Sequence, residues 1–145
     1  MNRAARCIAL AALVATAGCA KAAPPAASAQ VGDLTVDHGF AFEPITAASG
    51  AAYFRIRNGG NVADTVLDAS SPAAKGASFH GSSMAHQEVL EIPPGGEMEL
   101  KPGAAHLMLT DFTAPPRAGD SLAVTLRFAH AGSVTLQLPV RRYGQ

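Results

Sequence analysis

Two runs decide the fold: Leu122-Ala123-Val124-Thr125-Leu126-Arg127-Phe128 and Val134-Thr135-Leu136-Gln137-Leu138-Pro139-Val140, joined through a turn at Ala131-Gly132. Every second residue in each is apolar, the period of a strand with one face in a core and the other in water. Together they predict an antiparallel hairpin. Upstream, Ala52, Phe54 and Ile56 alternate with Tyr53, Arg55 and Arg57 until Asn58-Gly59-Gly60-Asn61 ends the run with turn residues.

Shorter strands are predicted over Leu34–Asp37, Thr65–Ala69, Ala77–His80, Glu88–Ile92, Glu97–Lys101 and Ala105–Thr110. Ser71-Pro72, Pro93-Pro94-Gly95-Gly96, Pro102-Gly103, Pro115-Pro116 and Gly119-Asp120 punctuate them. No stretch carries a convincing amphipathic helix, so the pattern predicts an all-β, two-sheet antiparallel sandwich. A core of about 110 residues is large enough to stand without disulfides.

Composition narrows the function. The chain has 145 residues, 48% hydrophobic and 15% charged, which suits one globular domain rather than a disordered protein. Eleven basic residues balance eleven acidic ones and no basic cluster is visible, which argues against nucleic-acid binding. Arg3 and Arg6, an apolar run from Cys7 to Ala17 and the small residues Ala17-Gly18-Cys19 describe a secretory leader over residues 1–19, too short to span a bilayer. Thr16-Ala17-Gly18-Cys19 resembles a lipoprotein cleavage box with Thr16 in place of the more usual Leu, which would make Cys19 a lipidated first residue. The alternative is cleavage after Ala27-Ser28-Ala29, releasing a soluble periplasmic protein. Residues 20–30 are small and Pro-containing and read as a tether, and 31–141 as the folded domain. Either cleavage leaves the domain without a thiol, and so without a disulfide, a thiolate metal site or a cysteine nucleophile. Loss of the leader's Arg3 and Arg6 leaves nine basic residues against eleven acidic ones, and membrane contact is expected only through a lipid anchor.

Motifs of hydrolases, zinc proteases, phosphate-binding loops and redox Cys pairs are absent from the sequence, and no enzymatic role is expected. The chemistry rests on His and Met. If Leu107 and Leu109 point into the core, His106 and Met108 share the outer face, their Cα atoms roughly 6.5 to 7 Å apart. Imidazole and thioether suit copper, and the soft, neutral thioether selects Cu(I). The ordinary alternative makes Met108 core filler and His106 a local hydrogen-bonding group. His80-Gly81-Ser82-Ser83-Met84-Ala85-His86 supplies the same ligand types again, on a segment that must turn for His80 and Met84 to share an ion. Met98, in phase with Leu100, is expected in the core, while His38 and His130 are expected in solvent and Asn58 in its turn.

Met84, twenty-one intervening residues and then His106-x-Met108 match half of the copper-binding signature of the PCu(A)C-type periplasmic copper chaperones. Ala52–Asn58, Ile92-Pro93-Pro94-Gly95-Gly96 and Leu100-Lys101-Pro102-Gly103 resemble flanking text of that family, and the likeness runs from about Leu34 to Val140. The resemblance implies a cupredoxin-like Greek-key β-sandwich that binds one Cu(I) through His80, Met84, His106 and Met108. It also implies delivery to a copper-accepting protein such as a cytochrome oxidase subunit or another copper chaperone. The chain departs from the family in having only Gly81, Ser82 and Ser83 between His80 and Met84, which makes His86 a substitute ligand. Two other functions stay open: an envelope protein-binding or assembly module with a vestigial metal site, and a copper buffer.

Overall fold

The computed structural model describes residues 27–81, 86–87 and 90–144. The leader, Cys19 and Met84 lie outside these residues, and of His86 and Gln87 only the backbone is described. The strands are β1 (Ala29–Val31), β2 (Leu34–Phe42), β3 (Ser49–Asn58), β4 (Asp64–Ser70), β5 (Ala74–His80), β6 (His86–Gln87), β7 (Leu90–Ile92), β8 (Glu97–Glu99), β9 (His106–Phe112), β10 (Ser121–Phe128) and β11 (Ser133–Arg141). No helix occurs among the described residues.

The decisive hairpin is β10–β11, in which Leu122 opposes Leu138, Val124 opposes Leu136 and Leu126 opposes Val134. All of these are buried except Val134, which is partly buried against the core. Gly132 closes the turn with φ +97°, a conformation that side chains resist, and its carbonyl accepts the Phe128 N–H at 2.7 Å.

Strand order runs β6-β5-β9-β3-β2-β11-β10-β4-β7, and the path curls around one core that unites Phe54, Ile56, Leu107 and Leu109 with Leu122, Val124, Leu136 and Leu138. β2 and β11 join in parallel through Val140 with Ala41 and Arg141 with Phe42, so the sandwich is mixed rather than wholly antiparallel. Asn58 braces the fold: its Nδ2 donates to the carbonyls of Val62 (2.7 Å) and Ile92 (3.2 Å), and its Oδ1 accepts the Gly60 N–H. This satisfies the side chain although it is almost fully buried.

Two local features position the rest. Ala29 and Gln30, expected in the tether, belong to β1 on the edge of β2, where pairing with Val36 and Thr35 outweighs their weak strand character. Between Asp37 and Phe40, β2 carries a bulge of one extra residue, with His38 at φ +55°. Gly39 lies there so close to β11 that a Cβ would collide with Leu138 Cδ2. The bulge keeps Asp37 opposite Arg55 and Phe40 opposite Tyr53, so all four share the outer face.

Asp37 accepts hydrogen bonds from Arg55 Nε (2.8 Å) and Arg57 Nη2 (3.0 Å). The Arg55 hydrogen bond holds its carboxyl below the usual range against the opposing effect of burial. Met98 packs partly buried against the core, as its phase with Leu100 predicts.

Candidate metal centre

Strand β9 presents the expected two faces. Leu107 and Leu109 are fully buried, whereas His106 and Met108 are half-buried and belong to the outer face. The ordinary reading of Met108 as core filler therefore fails.

Register supplies the partners. β5 runs antiparallel beside β9, with His80 opposite His106 and Ser78 opposite Met108, and directly opposed residues point to the same side of a sheet. His80 and His106 stack with ring centroids 5.7 Å apart and an interplanar angle of 19°. Residues twenty-six apart in sequence thus form one corner, with a thioether two positions along the same strand.

Hydrogen bonds set the orientation of the rings. His106 Nδ1 lies 3.0 Å from the Ala104 carbonyl oxygen, which can only accept, so Nδ1 donates there and a metal ion would have to be taken through Nε2. His80 Nε2 lies 3.0 Å from Ser78 Oγ. A metal ion taking His80 through Nε2 would have to displace that hydroxyl. Neither Ser78 nor the Ala104 carbonyl was singled out from the sequence, although Ser78 stands at i−2 from His80, the spacing that puts two strand residues on one face.

His86 has its backbone opposite His80, so three histidines occupy one register row across β9, β5 and β6. Among the described residues no three His, Cys, Asp or Glu side chains gather into a cluster, and the described donor set is two imidazoles and the Met108 thioether. Such a set lacks the oxygen ligands hard cations require and suits a soft monovalent ion.

Beyond Met108 the same face becomes aromatic. Met108 lines an open hollow of about 270 Å³ together with Phe42, Ile45, Ala51, Tyr53 and Tyr143. Phe40 and Phe42 lie 5.1 and 5.6 Å from Tyr53, and Phe42 lies 5.1 Å from Tyr143. Burial raises the pKa of the Tyr53 phenol, with a smaller contribution from Tyr143. This cluster was not legible as a unit, because its members come from β2, β3 and the chain's last residues.

The remaining candidates are structural or solvent-exposed. His38 is largely exposed. His130 sits in the β10–β11 turn, where its backbone N–H donates to Asp64 Oδ1 at 3.0 Å.

Comparison with known proteins bears on the family and the fold. Residues 20–140 match the LpqE-like family, described as "Putative lipoprotein LpqE-like". A relative from Leifsonia xyli subsp. xyli, "Putative lipoprotein Lxx21020", is 32% identical over 101 residues, covering 64% of this chain and 61% of the relative, so the match spans less than two thirds of that protein. Among solved structures, the copper-bound PCuAC domain from PmoF2 matches with TM-score 0.74 and 23% identity, over 79% of this chain and 97% of that domain. The apo PCuAC domain from PmoF1 matches with TM-score 0.74 and 25% identity, over 79% and 98%. Cu(I)-loaded DR1885 from Deinococcus radiodurans matches with TM-score 0.62 and 19% identity, over 87% and 84%. The chain belongs to the LpqE-like family of lipoproteins and has the cupredoxin-like fold of PCuAC domains.

Proposed function

We propose that this protein is a lipid-anchored envelope copper chaperone that binds one Cu(I) through His80, His106, Met108 and Met84 and passes it to an acceptor protein. The observation that carries the reading is the stacked His80–His106 pair with Met108 on the same face. Copper-bound and Cu(I)-loaded solved structures share this fold, which supports the choice of ion. His86, in register with His80, is the replacement ligand if the short segment between Gly81 and Met84 keeps that sulfur away.

Copper is cargo here and no bond of a substrate is made or broken. Ligands at a surface corner let an acceptor's donors enter before the chaperone's have all left. Neutral thioethers release the ion more readily than thiolates would. A cytochrome oxidase subunit or a second copper chaperone is the kind of acceptor the reading requires.

The family assignment supports an anchor, and Cys19 is the residue proposed to carry it. The rival cleavage after Ala29 would cut β1 and remove the Ala27 carbonyl that accepts the Gly39 N–H at 3.1 Å, which favours processing at Cys19. On this reading the proposed tether runs from residue 20 to residue 26.

The test is a Cu(I) titration in competition with a chromogenic chelator, on the wild type and on single Ala variants of His80, Met84, His86, His106 and Met108. The expected result is one copper per chain, weakened in the ligand variants. A protein that leaves the chelator's copper untouched would instead be an envelope assembly module. Transfer to an acceptor, followed by the acceptor's own spectrum, separates a chaperone from a buffer.

A further inference from the structure

The outer face has a second end, and the position of the tether gives it a meaning. Ala27, the first described residue, is bonded to Gly39 and shares a surface hollow with His38, Phe40 and Arg141. Eight residue steps separate it from Cys19, a reach of at most about 26 to 29 Å when fully extended. An anchor at Cys19 would therefore hold this end of the domain beside the bilayer.

The side chains at that end suit such a neighbour. Ile45 and Tyr143 are the most exposed large apolar side chains among the described residues, at 96% and 82%, and both line the hollow beside Met108. Tyr143 packs on Phe42, and the Arg141 guanidinium sits 4.7 Å over the Phe40 ring, with exposed Arg142 next in sequence. The acids nearby are engaged: Glu43 Oε2 accepts the Ala118 N–H at 3.3 Å, and Asp37 is held by Arg55 and Arg57. An aromatic and aliphatic patch rimmed by arginines is the composition that settles at a headgroup boundary and is drawn to anionic lipid.

We propose that this patch docks on an anionic membrane surface, with Ile45 and Tyr143 entering the interfacial layer and Arg141 and Arg142 meeting lipid phosphates. Such a patch is weak by itself, and the tether makes it effective by raising the local concentration of lipid. Docked this way, the Met108 side of the metal corner lies along the membrane rather than away from it. The proposal takes its setting from the anchored reading above but adds a contact made by the domain itself.

The test uses mature full chain on vesicles of phosphatidylcholine with phosphatidylglycerol and a doxyl-labelled lipid quencher. An environment-sensitive fluorophore is attached at Ile45→Cys or, as control, at Leu67→Cys on β4. The expected result is a blue shift and quenching at position 45 but not at 67. Arg141→Gln with Arg142→Gln should weaken docking about tenfold or more, and Tyr143→Ser should weaken it further. Equal, water-like signals at both positions would overturn the proposal, as would quenching at 45 indifferent to these variants. Shielding of position 45 that needs an added copper acceptor would overturn it in favour of a protein interface. Protein that does not float with the vesicles carries no anchor. The same spectra are then read on soluble chain with added vesicles, where a shift at 45 still supports docking and its absence still overturns it.

Discussion

Two polar sites in this sandwich are treated in opposite ways. Where β4 begins, Asp64 is buried, and its carboxylate accepts backbone N–H groups from Thr65 (2.7 Å), His130 (3.0 Å) and Ala131 (2.8 Å). Burial pushes its pKa up, but these three bonds prevail and hold it below the usual value. At the corner of β5 and β9, imidazole and thioether groups stand half-buried on the outer face, and His106 Nδ1 is turned to the Ala104 carbonyl. A saturated acid ties the β10–β11 turn to β4, whereas the half-buried imidazole and thioether groups stand at the surface, where an ion could reach them. Burial separates the structural site from the candidate chemical one.

The largest effect expected from breaking this contrast is at Asp64. Asp64→Ala leaves three backbone N–H groups without their acceptor and should cost about 3 kcal/mol or more in urea unfolding. His106→Ala should change apo stability by less than about 1 kcal/mol, as expected of a site outside the core. Acid should sharpen the same difference. Because Asp64 and Asp37 have lowered pKa values in the fold, their stabilisation is complete above the unfolded carboxylate value near 4 and is lost as pH falls below it. Asp64→Asn should therefore flatten the acid limb of a stability-against-pH curve, and His80→Ala should leave that limb unchanged.

Next in size is copper affinity. His106→Ala should weaken Cu(I) binding by about a hundredfold and Met108→Ala by about tenfold in the chelator competition, a thioether being the weaker donor. A loss of more than about 2 kcal/mol of apo stability in Met108→Ala would place its side chain in the core after all.

The smallest effect is at Ser78. Its hydroxyl competes for His80 Nε2, so Ser78→Ala should tighten Cu(I) binding by about threefold, the scale of one ordinary hydrogen bond. Weaker binding instead would mean that the metal uses Nδ1 and that Ser78 orients the ring.

The parts of this comparison differed in how readable they were. Alternation in Leu122–Phe128 and around Leu107 and Leu109 marked strands and faces directly, because burial on one side of a sheet writes a period of two into the chain. Ala29-Gln30-Val31 and Ala74-Lys75-Gly76 carry no such pattern and become strands through partners far away, β2 for the first and β9 for the second. Family resemblance implies His80 and His106 as ligands of one ion, but their stacking follows from register, which no local spacing reveals. The aromatic end depended on the bulge at His38-Gly39, since without the extra residue Phe40 would fall on the opposite face from Asp37. Asp64 showed no signal, because a carboxylate bound by backbone N–H groups leaves no mark on the residue types around it.

The pairing of His80 with His106 carries one more consequence. Both belong to a hydrogen-bonded ladder, so their separation is fixed by the sheet and not by the segment that follows Gly81. On the proposed reading, that segment could be lengthened, shortened or exchanged while the two imidazoles keep their spacing. If copper is held there as proposed, its grip and release could be retuned by editing a few residues of that segment, with no change to the frame that carries them.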